Sequence, residues 1–371
     1  MIVILRVCLA TATAVAATLL AIPGPAAAVP AVAVQTYTYV DLGVLAGVPA
    51  PPGRSSANGV TATGEVTGTS SAPGRATGLA YLYRNGQMVS LGSIYTSYGA
   101  GSFGADVNDA GAVVGYTHVN ATDPPHAFVY RNGVMTDLGT GSGAGSGSFA
   151  TGISNTGHVV GLRYATQLGN HRATLWRNGQ ILNLPGLSQR DSEANAVNDS
   201  GQVVGLAWPA SGAARAVMWT NRVLRDLGTL GGNNESAVAH DIANSGTVVG
   251  QAPTAGLQVH AFLWRNGVMR DLGSLPGGDG RSYAYGVNNL DQAVGLATVA
   301  GGQFDNRNRA VLYENGQVID LNTRVVNLPD TVVLTTANAI NDAGVIVGNG
   351  CLQPCNPFGS SGTAYLLIPN S

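Results

Sequence analysis

The 371-residue sequence contains no lysine, few charged residues and only three cysteines. All 18 basic side chains are arginine, charged residues make up 10% of the chain, and the formal net charge is −2. Such a surface lacks both the basic field that attracts nucleic acid and a polybasic patch for a membrane. We therefore expect no nucleic-acid partner and no stable membrane insertion of the mature chain.

Two familiar catalytic motifs are also missing, since the chain has no G-x-S-x-G and no H-E-x-x-H. Glycine is abundant instead, with 52 residues, and valine, alanine, serine and threonine fill much of the rest. This mixture disfavours long helices and suits short strands joined by tight turns. The composition predicts an all-β protein.

The first 33 residues differ from the rest. Arg6 is followed by the apolar run "VCLATATAVAATLLAI" and by small residues that offer cleavage sites after Ala28 or Ala33. This pattern predicts a secretory signal peptide, and hence a secreted protein whose folded domain spans 34–371. An uncleaved membrane anchor is the alternative, although the run is short for a span.

Cysteine usage agrees with export. Cys8 lies in the signal segment, which leaves Cys351 and Cys355 in "CLQPCNP". Two cysteines in a secreted chain favour a disulfide, and a metal site would need further ligands that this stretch does not supply.

Three motifs recur seven times, with 44 to 53 residues between successive copies of the third motif. The first resembles "HAFLWRNG", the second "MRDLG" and the third "VNDSGQVVG". The first motif keeps one alanine in every copy: Ala80, Ala127, Ala173, Ala216, Ala261, Ala310 and Ala364. The third keeps its last glycine: Gly68, Gly115, Gly161, Gly205, Gly250, Gly295 and Gly348. Such periodicity identifies a repeat architecture.

Each repeat holds two hairpins. Asn-Gly pairs supply the two positive φ angles of a type I′ turn at Asn85-Gly86, Asn132-Gly133, Asn178-Gly179, Asn266-Gly267 and Asn315-Gly316. In one copy Asn221-Arg222 replaces the pair, which predicts a strained or lengthened turn. The second hairpin turns through "NDSG", where Asp291 replaces the glycine once.

Four short strands in about 46 residues, repeated seven times, match the blades of a β-propeller. The chain begins, after residue 33, inside a unit at "YTYVDLG" and ends inside another at "TAYLLIPNS". Pairing these two segments would complete a seventh four-stranded blade and close the ring, which removes open sheet edges. We therefore predict one seven-bladed β-propeller over residues 34–371, closed by its N- and C-terminal strands.

The pattern "HAF-LWRNG-M-DLG-L" followed by "A-AIN--G-VVG" resembles the HAF repeat family of extracellular bacterial proteins. His126-Ala127-Phe128 and His260-Ala261-Phe262 carry the name motif intact. The resemblance covers nearly the whole mature chain, although five copies depart from histidine at the first position. It implies export and a repeat architecture, and it carries no catalytic residues.

The connections at the two ends of the sheets differ in how much their sequences vary between repeats. The Asn-Gly and "NDSG" turns follow strands that run the same way, so both lie at one end of the sheets. The connections at the other end vary from copy to copy, and variable loops on a rigid scaffold usually carry binding. We predict that this face, with the mouth of the central channel, is the interaction surface.

Most polar candidates favour structural roles over catalysis. The repeat position of His126 and His260 holds other residues elsewhere, and the remaining histidines lack partners that would define a catalytic set. The recurring aspartates of the second motif are expected to accept hydrogen bonds at strand ends: Asp41, Asp137, Asp226, Asp271 and Asp320. The closest acidic pair outside the repeat positions, Asp191 and Glu193, favours a solvated charge cluster.

Aromatic residues recur at one place in the repeat, which favours a core between blades over a carbohydrate platform: Tyr83, Tyr130, Trp176, Trp219, Trp264 and Tyr313. Trp208 lies outside this series on a variable connection, and we consider it a candidate exposed binding residue. No cofactor is expected. Calcium at "GGDGRS" or "FDNRNR" is an open alternative, although neither has the spaced acids of a dedicated loop.

Together these features predict a secreted, monomeric propeller that binds a protein or glycan through its variable-loop face without catalysis. Two alternatives remain. One is an extracellular glycosidase or lyase with paired carboxylates at the channel mouth, and the other is a structural component of the cell surface.

Overall fold

A computed structural model describes residues 34–48, 53–75, 77–95, 99–118, 120, 123–141, 145–165, 171–233, 235–300, 308–353, 355 and 362–371. The predicted signal segment, 1–33, lies outside the described residues. Residues Gln35–Ser371 form one compact unit.

The described residues form short strands and one 3-10 helix, Leu321–Thr323. The strands are β1 (Tyr37–Asp41), β2 (Ser55–Val60), β3 (Val66–Ser70), β4 (Leu79–Arg84), β5 (Gln87–Gly92), β6 (Gly101–Val107), β7 (Val113–His118), β8 (Pro125–Arg131), β9 (Val134–Asp137), β10 (Gly147–Ile153), β11 (Val159–Tyr164), β12 (Arg172–Arg177), β13 (Gln180–Asn183), β14 (Ser192–Val197), β15 (Val203–Ala207), β16 (Arg215–Thr220), β17 (Val223–Gly228), β18 (Val238–Ile242), β19 (Val248–Pro253), β20 (Val259–Arg265), β21 (Val268–Gly273), β22 (Ser282–Val287), β23 (Ala293–Thr298), β24 (Asn308–Glu314), β25 (Gln317–Asp320), β26 (Val332–Ile340), β27 (Ile346–Leu352) and β28 (Gly362–Pro369).

These strands form seven antiparallel sheets of four, and the sheets are the blades of a β-propeller. Blades 1 to 6 run in chain order from β2–β5 to β22–β25. The first strand of every blade contacts the first strands of its neighbours, so these strands form the inner ring around a central channel. The predicted seven-bladed propeller is confirmed, and the order of strands from the channel outwards is now defined.

Blade 7 joins the two ends of the chain. Its order is β1-β28-β27-β26, with β1 outermost, and β1 pairs with β28 from Tyr37↔Pro369 to Asp41↔Tyr365. The outer edge of β1 is covered as well, because Tyr37 N donates to Arg324 O at 2.8 Å and Val326 N donates to Tyr37 O at 3.0 Å. The predicted closure is confirmed, and the closing strand has hydrogen-bonding partners on both edges.

The invariant glycine of the third motif has a steric cause. At each of the seven glycines, a Cβ would lie 1.8–2.0 Å from a carbonyl oxygen of the adjacent inner strand; at Gly205 the atom is Glu193 O, at 2.0 Å. The inner strands carry a β-bulge at this level, as between Ala194 and Ala196, which brings the two backbones together. Only glycine allows this approach.

Buried side chains join neighbouring blades at both ends of the strands, a serine at five of the seven boundaries and an asparagine at four. At one end, a serine at or near the start of an inner strand accepts from the invariant alanine of the preceding blade, as where Ala127 N donates to Ser148 Oγ at 2.8 Å. At the other end, the asparagine of the third motif donates to the next blade, as from Asn341 Nδ2 to Thr61 O at 2.9 Å. These clasps satisfy buried polar groups and fix the blade spacing.

Candidate functional site

The central channel has two different mouths. Inner strands run from the variable connections towards the "NDSG" turns, so the same seven strands line both mouths. We call the end with the variable connections the loop face and the end with the two kinds of tight turn the turn face. Because the scaffold repeats, side chains that differ between blades distinguish one mouth from the other.

The turn-face mouth is a hydrogen-bonded ring of aspartate and asparagine. The backbone N–H of one turn donates to a side-chain oxygen in the next blade, as from Asn155 to Asp199 at 2.7 Å and from Asp199 to Asn244 at 2.8 Å. The chain of such contacts runs from Ala62 round to Asp342. A cavity of about 240 Å³ opens here, and five aspartates but no basic side chain are among its lining residues.

Two of these carboxylates lie deep in the channel on opposite blades. Asp106 and Asp241 occupy the bulge position that is glycine or alanine in the other five blades. Asp106 accepts from Val107 N at 2.8 Å and, across the blade boundary, from Ile153 N at 2.9 Å. Asp241 makes the same pair of bonds to Ile242 and Val287. Each carboxylate therefore ties two neighbouring blades together.

Burial raises the pKa of both channel carboxylates. The pKa of Asp106 reaches about 7, because desolvation outweighs the backbone hydrogen bonds and the charge of Asp241 adds to it. Nothing in the sequence associates them, since they are 135 residues apart and share the channel only because the ring closes. The closest acidic pair predicted outside the repeat positions was Asp191 and Glu193 instead.

The loop face carries a contiguous aromatic cluster on blades 2 and 3. Phe103 stacks on Tyr116 with ring centroids 4.7 Å apart and planes at 14°. Phe149 contacts Tyr116 edge-on at 4.7 Å, and Tyr164 continues the row at 6.3 Å from Phe149. Phe103, Tyr116 and Phe149 are only half-buried, in contrast to the aromatic residues between the blades.

A cavity of about 840 Å³ adjoins this cluster and lies among blades 1, 2 and 7. Its residues combine two aromatic rings with hydroxyls, amides and one arginine, and they include Arg54, Ser56, Asn58, Phe103, Tyr116 and Asn349. None of its described lining residues is an aspartate or a glutamate. We call it the loop-face cavity. Its size and mixed lining are typical of ligand pockets.

The two histidines of the intact name motif form hydrogen bonds with the aspartates of the second motif. His126 Nδ1 lies 2.7 Å from Asp137 Oδ2, and His260 Nδ1 lies 2.8 Å from Asp271 Oδ2. Arg215 and Asp226 take the same two repeat positions and are joined at 3.2 Å. The position of His126 in the repeat thus holds a basic partner for the aspartate of the second motif. That aspartate also accepts a hydrogen bond from the backbone N–H of the glycine two residues later, as Asp137 does from Gly139 N.

The other histidines are dispersed. His240 lies in the channel beside Tyr285, and burial lowers the pKa of its imidazole. His171 pairs with Glu193 at 2.9 Å on the loop face. In the part of the chain that the structure describes, no three His, Cys, Asp or Glu side chains are grouped to hold a metal ion. The calcium candidate "FDNRNR" falls largely outside the described residues.

The remaining candidates have distinct positions. All five Asn-Gly pairs have positive φ at both residues. Asn221-Arg222 keeps the two-residue turn, with Arg222 at φ 64°, so this turn is not lengthened.

Cys351 and Cys355 lie at disulfide distance, with Cα atoms 5.5 Å apart. Trp208 is half-buried on the loop face, and its backbone N–H donates to Asp191 O at 2.9 Å.

The repeated aromatic residues lie mainly in the core. Trp176, Trp219, Trp264 and Tyr313 are at most 5% exposed and pack between blades. The loop-face cluster uses different residues, which sequence reasoning missed. The available signal was that Phe103, Tyr116 and Phe149 stand where most other repeats have serine, threonine, valine or leucine.

Among the described residues, no helix is long and apolar enough to cross a membrane. No protein-family model and no curated protein matches the sequence. The chain is similar in structure to a prolyl endopeptidase, with a TM-score of 0.50, 10% identity, and coverage of 85% of this chain and 46% of that one. It is also similar to TolB from Acinetobacter baumannii, with a TM-score of 0.46, 12% identity, and coverage of 84% of this chain and 64% of TolB. The β-propeller domain of the Trilobed protease from Pyrococcus furiosus gives a TM-score of 0.47 at 11% identity, over 73% of this chain and 83% of that one. At these identities the likeness concerns the fold alone.

Proposed function

We propose that this protein is an exported, monomeric β-propeller that binds an extracellular partner, protein or glycan, at the loop-face mouth of its channel, without a catalytic step. The observation that carries the proposal is the concentration of non-repeated aromatic and polar side chains around the loop-face cavity. Half-buried aromatic rings beside a polar-lined cavity are typical of binding sites rather than of a purely structural surface. Export rests on the pattern of residues 1–33.

The glycosidase or lyase alternative would use Asp106 and Asp241. Both carboxylates lie at the turn-face side of the channel, and each already accepts from two backbone N–H groups. Groups held in this way are suited to joining blades, whereas a general acid or base must reach a substrate proton. We therefore assign them a structural role.

The proposal can be tested by blocking each mouth in turn. A Cβ at Gly362, which lines the loop-face cavity, would have Ser55 O at 3.9 Å as its nearest neighbour, so Gly362→Trp can fill the cavity. Leu290, 66% exposed in a turn-face loop, offers the matched control Leu290→Trp. Binding of the purified protein to cell-surface protein and polysaccharide fractions would be measured by biolayer interferometry.

We expect Gly362→Trp to lose binding while Leu290→Trp keeps it, with equal melting temperatures for the two variants. Equal binding by both variants, or binding lost only in Leu290→Trp, would refute the loop-face site.

A further inference from the structure

The loop-face cavity has one aromatic wall. Phe103 and Tyr116 lie on adjacent strands, β6 and β7, and their nearly parallel rings are stacked, so each ring covers one face of the other and a ligand can reach only an outer face of the stack. His118 contacts both rings edge-on, at 5.8 and 5.7 Å. A flat π surface with a negative face attracts the weakly positive C–H groups on one side of a pyranose ring. A lipid tail would gain nothing from the polar wall that faces these rings.

The rest of the lining is polar and is held in place by the scaffold. Asn58 Nδ2 donates to Gly104 O at 2.7 Å, which fixes the amide and leaves Oδ1 as the atom directed to a ligand. Asn349 Oδ1 accepts from Ala57 N at 3.1 Å, which leaves Nδ2 as a donor. Ser56, Thr69 and Ser71 add hydroxyls. An acceptor, a donor and several hydroxyls beside a flat apolar surface match a polyhydroxylated ring.

The charge of the lining side chains restricts which classes of saccharide the cavity can bind. Arg54, which is exposed, is the one charged side chain among the lining residues. A cationic amino sugar would be repelled there, whereas a uronic acid would gain a charge-assisted hydrogen bond and a neutral sugar would be tolerated.

We infer that the loop-face cavity binds a pyranose ring of a neutral or acidic saccharide, stacked on an outer face of the Phe103–Tyr116 pair and hydrogen-bonded by Asn58 and Asn349. This inference rests on the proposed function, since it names the ligand class of the same mouth. A protein partner at this mouth is the competing outcome.

The test uses a glycan array of neutral, acidic and amino saccharides, followed by isothermal titration calorimetry with the strongest binder. Phe103→Leu keeps apolar volume but removes the flat ring, and Phe103→Tyr keeps the ring. Tyr283 provides the matched control, because it occupies the same inner-strand position in blade 6 and stacks on Tyr285 but does not line the cavity.

We expect Phe103→Leu to weaken saccharide binding about fivefold, because aromatic stacking of this kind contributes roughly 1 kcal/mol. Phe103→Tyr and Tyr283→Leu should stay within about twofold, as expected when that stacking is kept. Arg54→Gln should weaken the binding of uronic acids and leave the binding of neutral sugars unchanged. Melting temperatures establish that each variant is folded.

The outcomes separate the two proposals. If no saccharide binds but a surface protein does, and Gly362→Trp abolishes its binding, the loop-face site stands and the saccharide inference is overturned. The same holds if amino sugars bind best. Saccharide binding that is lost equally in Tyr283→Leu and Phe103→Leu also overturns the assignment to this cavity. If nothing binds the loop face, both proposals are wrong.

Discussion

The two mouths of the channel are built on the same seven strands but differ in how far they follow the repeat. At the turn face, nearly every blade presents asparagine or aspartate at corresponding positions, and their side chains join the blades into a ring. At the loop face, Ser56, Phe103, Phe149, Glu193 and Tyr283 occupy one equivalent inner-strand position in five blades.

We interpret this difference as a division between residues that stabilise the propeller and residues that bind a ligand. A contact that every blade needs is repeated, since each blade must be tied to the next in the same way. Residues that bind a ligand depart from the sevenfold pattern, because the ligand contacts only some of the blades. The departures from the repeat are therefore the places where we look for binding, and the aromatic departures Phe103, Tyr116 and Phe149 cluster at the loop face.

The largest effect should come from removing the strand on which closure of the ring depends. Deletion of residues 363–371 leaves β1 without its partner β28 and exposes the edges of β1 and β27. We expect loss of the cooperative melting transition and of binding, measured by circular dichroism and interferometry. Deletion of the exposed Ser371 alone is the control. An unchanged melting transition in the longer deletion would contradict the closure.

The second effect concerns the invariant glycines. In Gly205→Ala the new Cβ would lie 2.0 Å from Glu193 O, so the two strands must separate. We expect a loss of about 3 kcal/mol in the free energy of unfolding, as for other overpacked interiors. Gly362→Ala, on the loop face, brings its Cβ no closer than 3.9 Å to Ser55 O and should change stability by about 0.5 kcal/mol or less. Chemical denaturation compares them, and equal losses would remove the steric distinction.

The third effect tests the turn-face clasp. Asn341 is buried, accepts from Ala343 N and Val345 N, and donates to Thr61 O across the closing boundary. Asn341→Ala leaves these groups unpaired and should cost about 2 kcal/mol. The exposed Asn289→Ala should cost about 1 kcal/mol or less. Neither should alter loop-face binding. If Asn341→Ala weakens binding without loss of stability, the division between the two faces is wrong.

The smallest effect is a pH dependence from the channel. The pKa of Asp106 is about 7 in the folded protein and near 4 when the chain unfolds, so the folded state holds the proton more tightly. Its contribution to stability is therefore greatest below about pH 4 and decreases as the pH rises towards 7. The facing Asp241 contributes in the same direction.

Asp106→Asn should accordingly flatten the stability profile between pH 4 and 7, the interval set by the pKa of Asp106. The melting temperature relative to the wild type should be higher at pH 8 than at pH 4. Asp109→Asn, at the exposed rim, is the control. A wild-type profile that rises with pH through this range, and that Asp106→Asn does not change, would contradict the assignment.

Much of the fold could be predicted because it is repeated. Each of the seven repeats contains two hairpins, which specify its four strands. The Asn-Gly pairs determine the geometry of one of the two hairpin turns locally. At Asn221-Arg222 the prediction was a strained or lengthened turn, and the structure shows the strained form. There the flanking strand pairs hold the two-residue turn, with Arg222 at φ 64°.

The candidate site was harder to predict. Reasoning from variable loops predicted the loop face as the interaction surface and Trp208 as a candidate binding residue, and both stay predictions. The aromatic cluster and the Asp106–Asp241 pair were missed because their members come from separate repeats, and their proximity depends on how blades are placed around the ring.

The sequence by itself determined the number of blades, the turns and the closure, because these depend on local periodicity and on hydrogen bonding between neighbouring strands. Only the tertiary structure decided which strand lies innermost, why the seven glycines cannot vary, and which side chains meet at each mouth. The physical reason is that the channel is formed by strands from all seven repeats at once. No single repeat contains the distances across it.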